Sequence, residues 1–245
     1  MKLYLIFFII IIIIFTFYKK TVITEYFDYD CVTYLFWTGG YDSTFRLCEL
    51  LINKKKTVQP IYVSYNLDSE NCNDTWVRRN RKNELETMNN IKNILFIRFP
   101  YVKNLLKPTQ FIENNFIDKE YDIKIHNLNL WPRKRKIHQY THLGKITYHM
   151  KVPIELCVLG IDLDSNFIKY INKYINKDTN KLNVEKNHPL YYFEFPLFHK
   201  TKKDLCQIAK ENNFDDIIRK SWSCWFPKNN KPCKRCPMCR QRFNC

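Results

Sequence analysis

Four closely spaced cysteines, Cys224-x8-Cys233-x2-Cys236-x2-Cys239, restrict this 245-residue chain more than any other feature. Cysteines three apart in a tight, proline-containing turn direct their sulfurs at a common centre. A fourth thiol nine residues earlier completes a tetrahedral S4 site suited to Zn2+. The other six of the ten cysteines (Cys31, Cys48, Cys72, Cys157, Cys206 and Cys245) are dispersed, several of them in apolar segments. That distribution predicts one structural zinc site per chain in a reducing compartment, not a disulfide framework. A Zn(Cys)4 centre carries a formal charge of −2, so Lys231, Lys234, Arg235, Arg240 and Arg242 serve as compensating donors around it.

Length and composition allow one sizeable α/β domain with little left for a second: hydrophobic residues make up 45% and charged residues 26%. From about Cys31 onward, β-prone and helical segments alternate. Val32–Phe36, Pro60–Val63, Ile94–Ile97, Ile154–Leu159 and Tyr191–Phe195 read as strands. Thr44–Ile52, Arg81–Ile91, a stretch near Pro108–Phe116, Ile137–Met150, Phe167–Ile175 and Lys202–Asn212 read as helices. Such alternation predicts a doubly wound parallel sheet of Rossmann-like form with helices on both faces. Residues 28–245 form that domain, which includes a cysteine tail at 221–242.

The chain has only four glycines, and two of them are adjacent in Thr38-Gly39-Gly40-Tyr41-Asp42-Ser43, between the first strand and the first helix. In an open α/β sheet, ligands bind at the carboxyl ends of the strands. Two glycines let the backbone approach an oxyanion without Cβ clashes, and N–H groups at the helix start point at it. Thr38 and Ser43 add hydroxyl donors, and Asp42 orients the turn or holds Mg2+. The plainer alternative is a strand-to-helix turn in which Asp42 or Ser43 is simply an N-cap.

The formal net charge of +16 favours anionic partners such as nucleotides, nucleic acid or a membrane surface, although scattered lysines on a solvated face produce the same figure. Leu3–Tyr18 is a nearly unbroken apolar run flanked by Lys2 and by Lys19-Lys20, and no small-x-small cleavage site follows it. It predicts an uncleaved transmembrane helix within a 1–27 anchor and linker. The flanking charges balance, so placing the globular part on the cytoplasmic side rests on the expected ATP and thiolate chemistry.

Thr38–Ser43 resembles the Ser-Gly-Gly-x-Asp-Ser PP-loop of the ATP pyrophosphatases, with Thr in place of the first Ser. Ser221–Arg242 resembles the C-terminus of the 7-cyano-7-deazaguanine synthases, the QueC family. It shares their Trp222-Ser223-Cys224 start and their Lys231-Pro232-Cys233-x-x-Cys236-x-x-Cys239-Arg240 spacing. Lys200-Thr201-Lys202 is similar to that family's Lys-Thr-Lys helix start. Weaker likenesses are Arg81–Leu85 to its Arg-Glu-Leu helix, Trp131-Pro132-Arg133 to its Pro-x-Arg segment, and Val158–Asp162 to its strand ending in Gly-Val-Asn. Two loops depart. Ser64–Asp68 stands where the family has Asp-Tyr-Gly-Gln, and Leu163–Asn166 lacks its Ser-Gly-Tyr-Pro-Asp-Cys-Arg stretch.

The resemblance implies an ATP-dependent ligase. It would adenylate 7-carboxy-7-deazaguanine and, with ammonia, convert it to the nitrile, releasing AMP and pyrophosphate. In that reading Thr38–Ser43 hold the phosphates with Mg2+, Lys202 and Arg133 neutralise developing charge, and zinc is structural. Two other readings stay open. One is a PP-loop enzyme adenylating another carboxylate or a tRNA base; the other is a membrane-tethered zinc module that binds nucleic acid. A homo-oligomer is compatible with all three.

Overall fold

The computed structural model describes residues 32–64, 80–113, 118–130, 139–161 and 165–240. Five parallel strands form one sheet in the order β3-β2-β1-β4-β5: β1 Val32–Phe36, β2 Thr57–Ser64, β3 Gln110–Glu113, β4 Ile154–Glu155 and β5 Phe193–Glu194. The central register sets Leu35 of β1 opposite both Pro60 of β2 and Glu155 of β4. Strand order therefore reverses at β1, and the crevice beyond the carboxyl ends of β1 and β4 is where such sheets take ligands.

Between the strands lie α1 Tyr41–Cys48, which continues as a π-helical turn Glu49–Asn53, α2 Arg81–Arg98 and α3 Val102–Leu105. They are followed by α4 Lys119–Asn127, α5 Gln139–Met150 and α6 Asn166–Tyr174. After β5 come α7 Lys202–Glu211, α8 Asp215–Arg219 and a final turn, α9 Pro237–Arg240. The period of two along the strands divides the core. Leu35, Val58 and Tyr62 turn to a cluster shared with Phe45, Met88, Ile91, Leu95, Leu205, Ala209, Ile217 and Ile218. On the opposite face Phe36 meets Phe193 edge-on at 6.3 Å, and Gly144 of α5 lies against Tyr121 and Phe193.

Two expected elements change type. Ile94–Ile97 is not a strand but the last turn of α2: Met88, Ile91 and Leu95 are buried at helical spacing while Ile97 is 79% exposed. A short apolar run is ambiguous by itself, and the preceding helical period decides it. The stretch near Pro108–Phe116 is not helical where it is described, since Gln110–Glu113 pairs with Ile61–Ser64. So short a piece gains more from an open sheet edge than from a costly helix nucleus.

The expected transmembrane helix is also corrected. No helix among the described residues is long and apolar enough to cross a membrane. The longest, α2, carries Arg81, Lys82, Glu84, Glu86, Lys92 and Arg98 along its length. Leu3–Tyr18 lies outside the described residues. Neither a membrane anchor nor a membrane-attached location is supported.

Candidate functional site

β1 runs out at Phe36, and Trp37 extends its ladder by one bond, donating its N–H to the Ile61 carbonyl at 2.9 Å. The indole of Trp37 is fully buried and donates from Nε1 to Thr44 Oγ1 at 3.1 Å, tying the end of the strand to the first turn of α1. Between these points the chain turns through Gly39 at φ +72°. A Cβ at Gly39 would come within 3.2–3.3 Å of Thr87 Cγ2, the Glu84 carbonyl and Met88 Cγ, so conformation and space both demand glycine. α2 thus forms a wall behind the loop. Buried Glu84 holds that wall in place by accepting from Tyr62 Oη at 2.7 Å and from Asn80 Nδ2 at 3.0 Å.

Gly40 is the N-cap of α1, with no side-chain cap. Its carbonyl accepts from the Thr44 N–H at 2.9 Å and from Ser43 Oγ at 3.3 Å. The amides of Tyr41, Asp42 and Ser43 precede the first intrahelical bond and form the positive end of the helix. Thr38 Oγ1 lies 3.5 Å from where a Gly40 Cβ would stand, on the same side of the turn. Together these groups form a cradle of backbone amides and hydroxyls at the positive end of a helix, the kind of place where anions bind.

Lys202, at the start of α7, reaches this cradle. It forms an ion pair with Asp42, and its Nζ lies 4.6 Å above the Tyr41 ring. Thr201 caps α7 in a reciprocal box with Asp204, which fixes where Lys202 leaves the helix. Tyr41 itself is buried, and its hydroxyl finds no partner among the described residues. Burial first, then the charges of Asp42 and Asp215, push its phenol up to about 12. Its side chain is therefore a floor under Lys202, and only its backbone faces the cradle. Arg133 lies outside the described residues, as do Tyr65–Asp68 and Leu163–Asp164 of the two divergent loops.

Further along α1, a buried ion network that local sequence did not reveal fixes the helix to β4. Arg46 donates from Nε and Nη2 to the two Glu155 oxygens at 2.7 and 2.5 Å, and from Nη1 to Glu49 at 2.5 Å. Burial opposes the arginine's charge, but the hydrogen bonds and charge of Glu155, joined by Glu49, more than offset it. The three residues are far apart in sequence or hidden in an apolar helix, and only strand pairing brings Glu155 to Arg46.

The four tail cysteines converge. The Sγ atoms of Cys224, Cys233, Cys236 and Cys239 all lie within 4.8 Å of one another, and Cys233 and Cys239 are 3.9 Å apart. Four sulfurs at Zn–S bonds of about 2.3 Å in a tetrahedron stand about 3.8 Å apart, so the residues fit a zinc ion. Local backbone builds the cluster. Asn229 and Asn230 both adopt positive φ in a two-residue hairpin closed by Lys228 and Lys231, which returns the chain toward Cys224. Lys234, at φ +58°, turns Cys233 toward Cys236.

Backbone amides then donate to sulfur: Cys233 to Cys224 at 3.2 Å, Cys236 to Cys233 at 3.3 Å and Cys239 to Cys236 at 3.4 Å. The amides of Arg235 and Cys236 pull the Cys233 thiol down to about 6, while burial pushes the thiols of Cys224 and Cys239 up. Lys231, Lys234, Arg235 and Arg240 are exposed around the cluster, as charge compensation requires.

The loop and the tail touch. The Trp222 N–H donates to the Gly39 carbonyl at 2.9 Å, joining residues at the two ends of the domain. No side-chain pattern in the sequence announces a bond between two backbones.

Comparison with known proteins agrees with the tail. Residues 161–245 match the family described as "Queuosine biosynthesis protein QueC", and this match supports a QueC-like assignment. The matched stretch holds Lys202 and the four cysteines but not Thr38–Ser43. No curated protein matches the chain.

Proposed function

We propose, on the premise that this chain is QueC-like and acts in queuosine biosynthesis, that it is an ATP-dependent carbon–nitrogen ligase converting 7-carboxy-7-deazaguanine to 7-cyano-7-deazaguanine. The observation that carries the reading is the glycine cradle at the sheet's switch point, with Lys202 from the matched region reaching into it. The carboxylate of the substrate attacks the α-phosphorus of ATP and pyrophosphate leaves. Ammonia then attacks the acyl carbon and AMP leaves, giving the amide. The amide oxygen then attacks the α-phosphorus of a second ATP, releasing pyrophosphate and one N–H proton, and loss of AMP with the other proton gives the nitrile.

No protein nucleophile is needed, so the chain's task is to position two reactants and to stabilise the charge on departing pyrophosphate. The amides of Gly40–Ser43 and the hydroxyls of Thr38 and Ser43 bind the phosphates. Lys202 exchanges Asp42 for phosphate oxygens as negative charge develops there. Asp42, freed of its lysine, would be the oxygen ligand for Mg2+, which would supply further neutralisation of phosphate charge there. Zinc, held by Cys224, Cys233, Cys236 and Cys239, is structural, since four thiolates leave no open position. Arg133 is a second candidate for charge neutralisation.

The test is product analysis with the full chain, Mg2+-ATP, ammonia and 7-carboxy-7-deazaguanine. AMP, pyrophosphate and the nitrile are expected, and Asp42→Ala should lose turnover by at least a hundredfold while keeping its zinc. Formation of ADP and phosphate, or turnover indifferent to the deazaguanine, would sink this reading. Stimulation by tRNA alone would move the substrate to a nucleic acid.

A further inference from the structure

Gly39 is buried and adopts a left-handed conformation, φ +72°. A buried carbonyl left without a donor is destabilising, so the loop's geometry depends on what that oxygen finds. What it finds is the backbone N–H of Trp222. The Trp222 carbonyl also lies 3.9 Å from the Cβ position of Gly40, so the backbone at 222 rests against both glycines. On the other side the loop is stopped by Glu84, Thr87 and Met88 of α2. Gly39 is therefore gripped between a helix of the core and a residue of the tail.

Two anchors fix Trp222. Upstream, α8 buries Ile217 and Ile218 in the core, and Ser221, itself buried, bonds back to the Ile218 carbonyl at 3.1 Å. Downstream, the Trp222 indole donates to the Cys224 carbonyl at 2.8 Å, and Cys224 supplies the first sulfur of the four-cysteine cluster. The indole thus braces the peptide plane at 222 against the cluster only two residues on.

We infer that Trp222 is a positioning residue for the phosphate loop, and that the sulfur cluster serves the nucleotide site by holding the Trp222 N–H against Gly39. The inference rests on reading Thr38–Ser43 as a nucleotide site, but the mechanical link between tail and loop stands on the geometry alone. The four-cysteine site is then more than a staple for the tail. Its occupancy sets the order of a loop that contributes none of its ligands.

The experiment reads the loop directly, by amide hydrogen exchange over residues 37–45 of the full chain. It compares zinc-loaded and chelated protein, and the variants Trp222→Phe, which keeps the N–H, and Trp222→Pro, which removes it. Chelation and Trp222→Pro should each speed exchange of the loop amides by about tenfold, the scale of one backbone hydrogen bond, while exchange in β2 stays unchanged. Trp222→Phe keeps the N–H but loses the indole bond to Cys224, so it should speed loop exchange by clearly less than Trp222→Pro while keeping its zinc. ATP dissociation constants measured on the same samples should rise about tenfold in parallel.

Loop exchange unaffected by chelation would overturn the inference, and so would Trp222→Phe disturbing the loop as much as Trp222→Pro. If Trp222→Pro does not fold, the chelation comparison on wild type decides alone. Zinc-dependent loop exchange in a protein without ATP affinity would defeat the nucleotide reading and leave the coupling intact.

Discussion

The glycine loop and the cysteine tail reach the same end, a rigid arrangement of polar atoms, by opposite means. The loop takes its shape from bulk: a buried tryptophan, a helix wall behind Gly39, and an ion network that fixes α1 to the sheet. The tail has almost no core. Cys224 and Cys236 are buried but Phe226 is 46% exposed, and amide-to-sulfur bonds and left-handed turns do the folding. A site built on packing is preorganised whether or not its ligand is bound. A site built on sulfur is finished only by its metal. The contact of Trp222 with Gly39 makes the first depend on the second.

The comparison can be broken most forcefully at the sulfurs. Cys236→Ala should lose the metal, which in isolated zinc modules is worth about 10–16 kcal/mol of apparent binding energy. Elemental analysis should fall from one zinc per chain to none, and amide protection over residues 221–240 should vanish while the sheet persists. Retained metal would show that three sulfurs suffice to hold it and that the tail's shape does not depend on the fourth.

Next in size is the loop's own scaffold. Arg46→Met leaves Glu155 buried without its partner and Glu49 with only Lys54 at 3.9 Å among the described residues, at a cost of about 3–5 kcal/mol. Denaturant unfolding should show the loss as a lowered midpoint, with zinc content untouched. A change below about 1 kcal/mol would mean that α1 is held by apolar packing alone.

Gly39→Ala acts at the junction of the two regions. A left-handed alanine costs about 1–2 kcal/mol, and its methyl meets atoms at 3.2–3.3 Å that must give way. Nucleotide affinity should drop about tenfold or more, with the tail's hydrogen exchange unaltered. Unchanged ATP binding would remove Gly39 from the site.

The smallest effect has the opposite sign. Tyr41→Phe deletes a buried hydroxyl that has no partner among the described residues. Thermal unfolding should show neutrality or a gain of up to about 1 kcal/mol. The ring on which Lys202 rests is kept, so turnover should persist. A loss of stability would reveal a partner for that hydroxyl.

Much of this was legible in the sequence for a physical reason: the signals were local. Val32–Phe36 followed by two glycines can hardly be anything but a buried strand entering a turn, and the cysteine spacing is a metal geometry written in one dimension. Lys202, Asp42 and the glycines were each singled out from sequence, yet the ion pair between Lys202 and Asp42 emerged only with the fold. Ile94–Ile97 misled because four apolar residues carry no period of their own, and the helix they finish starts at Arg81. Arg46 with Glu155, and Trp222 with Gly39, were invisible because strand pairing creates the first and backbone atoms alone make the second.

The bond between Trp222 and Gly39 also has a consequence in time. On the ribosome, Gly39 is synthesised long before Trp222, and the early strands and helices begin to pack as they emerge. Through that interval the Gly39 carbonyl has no protein donor, and the cradle beside it stays unsettled. A stalled or truncated product would own every residue of the glycine loop and still lack one of the bonds that holds it. By lending its last brace from late in the chain, the fold withholds the loop's final shape from molecules whose synthesis is incomplete.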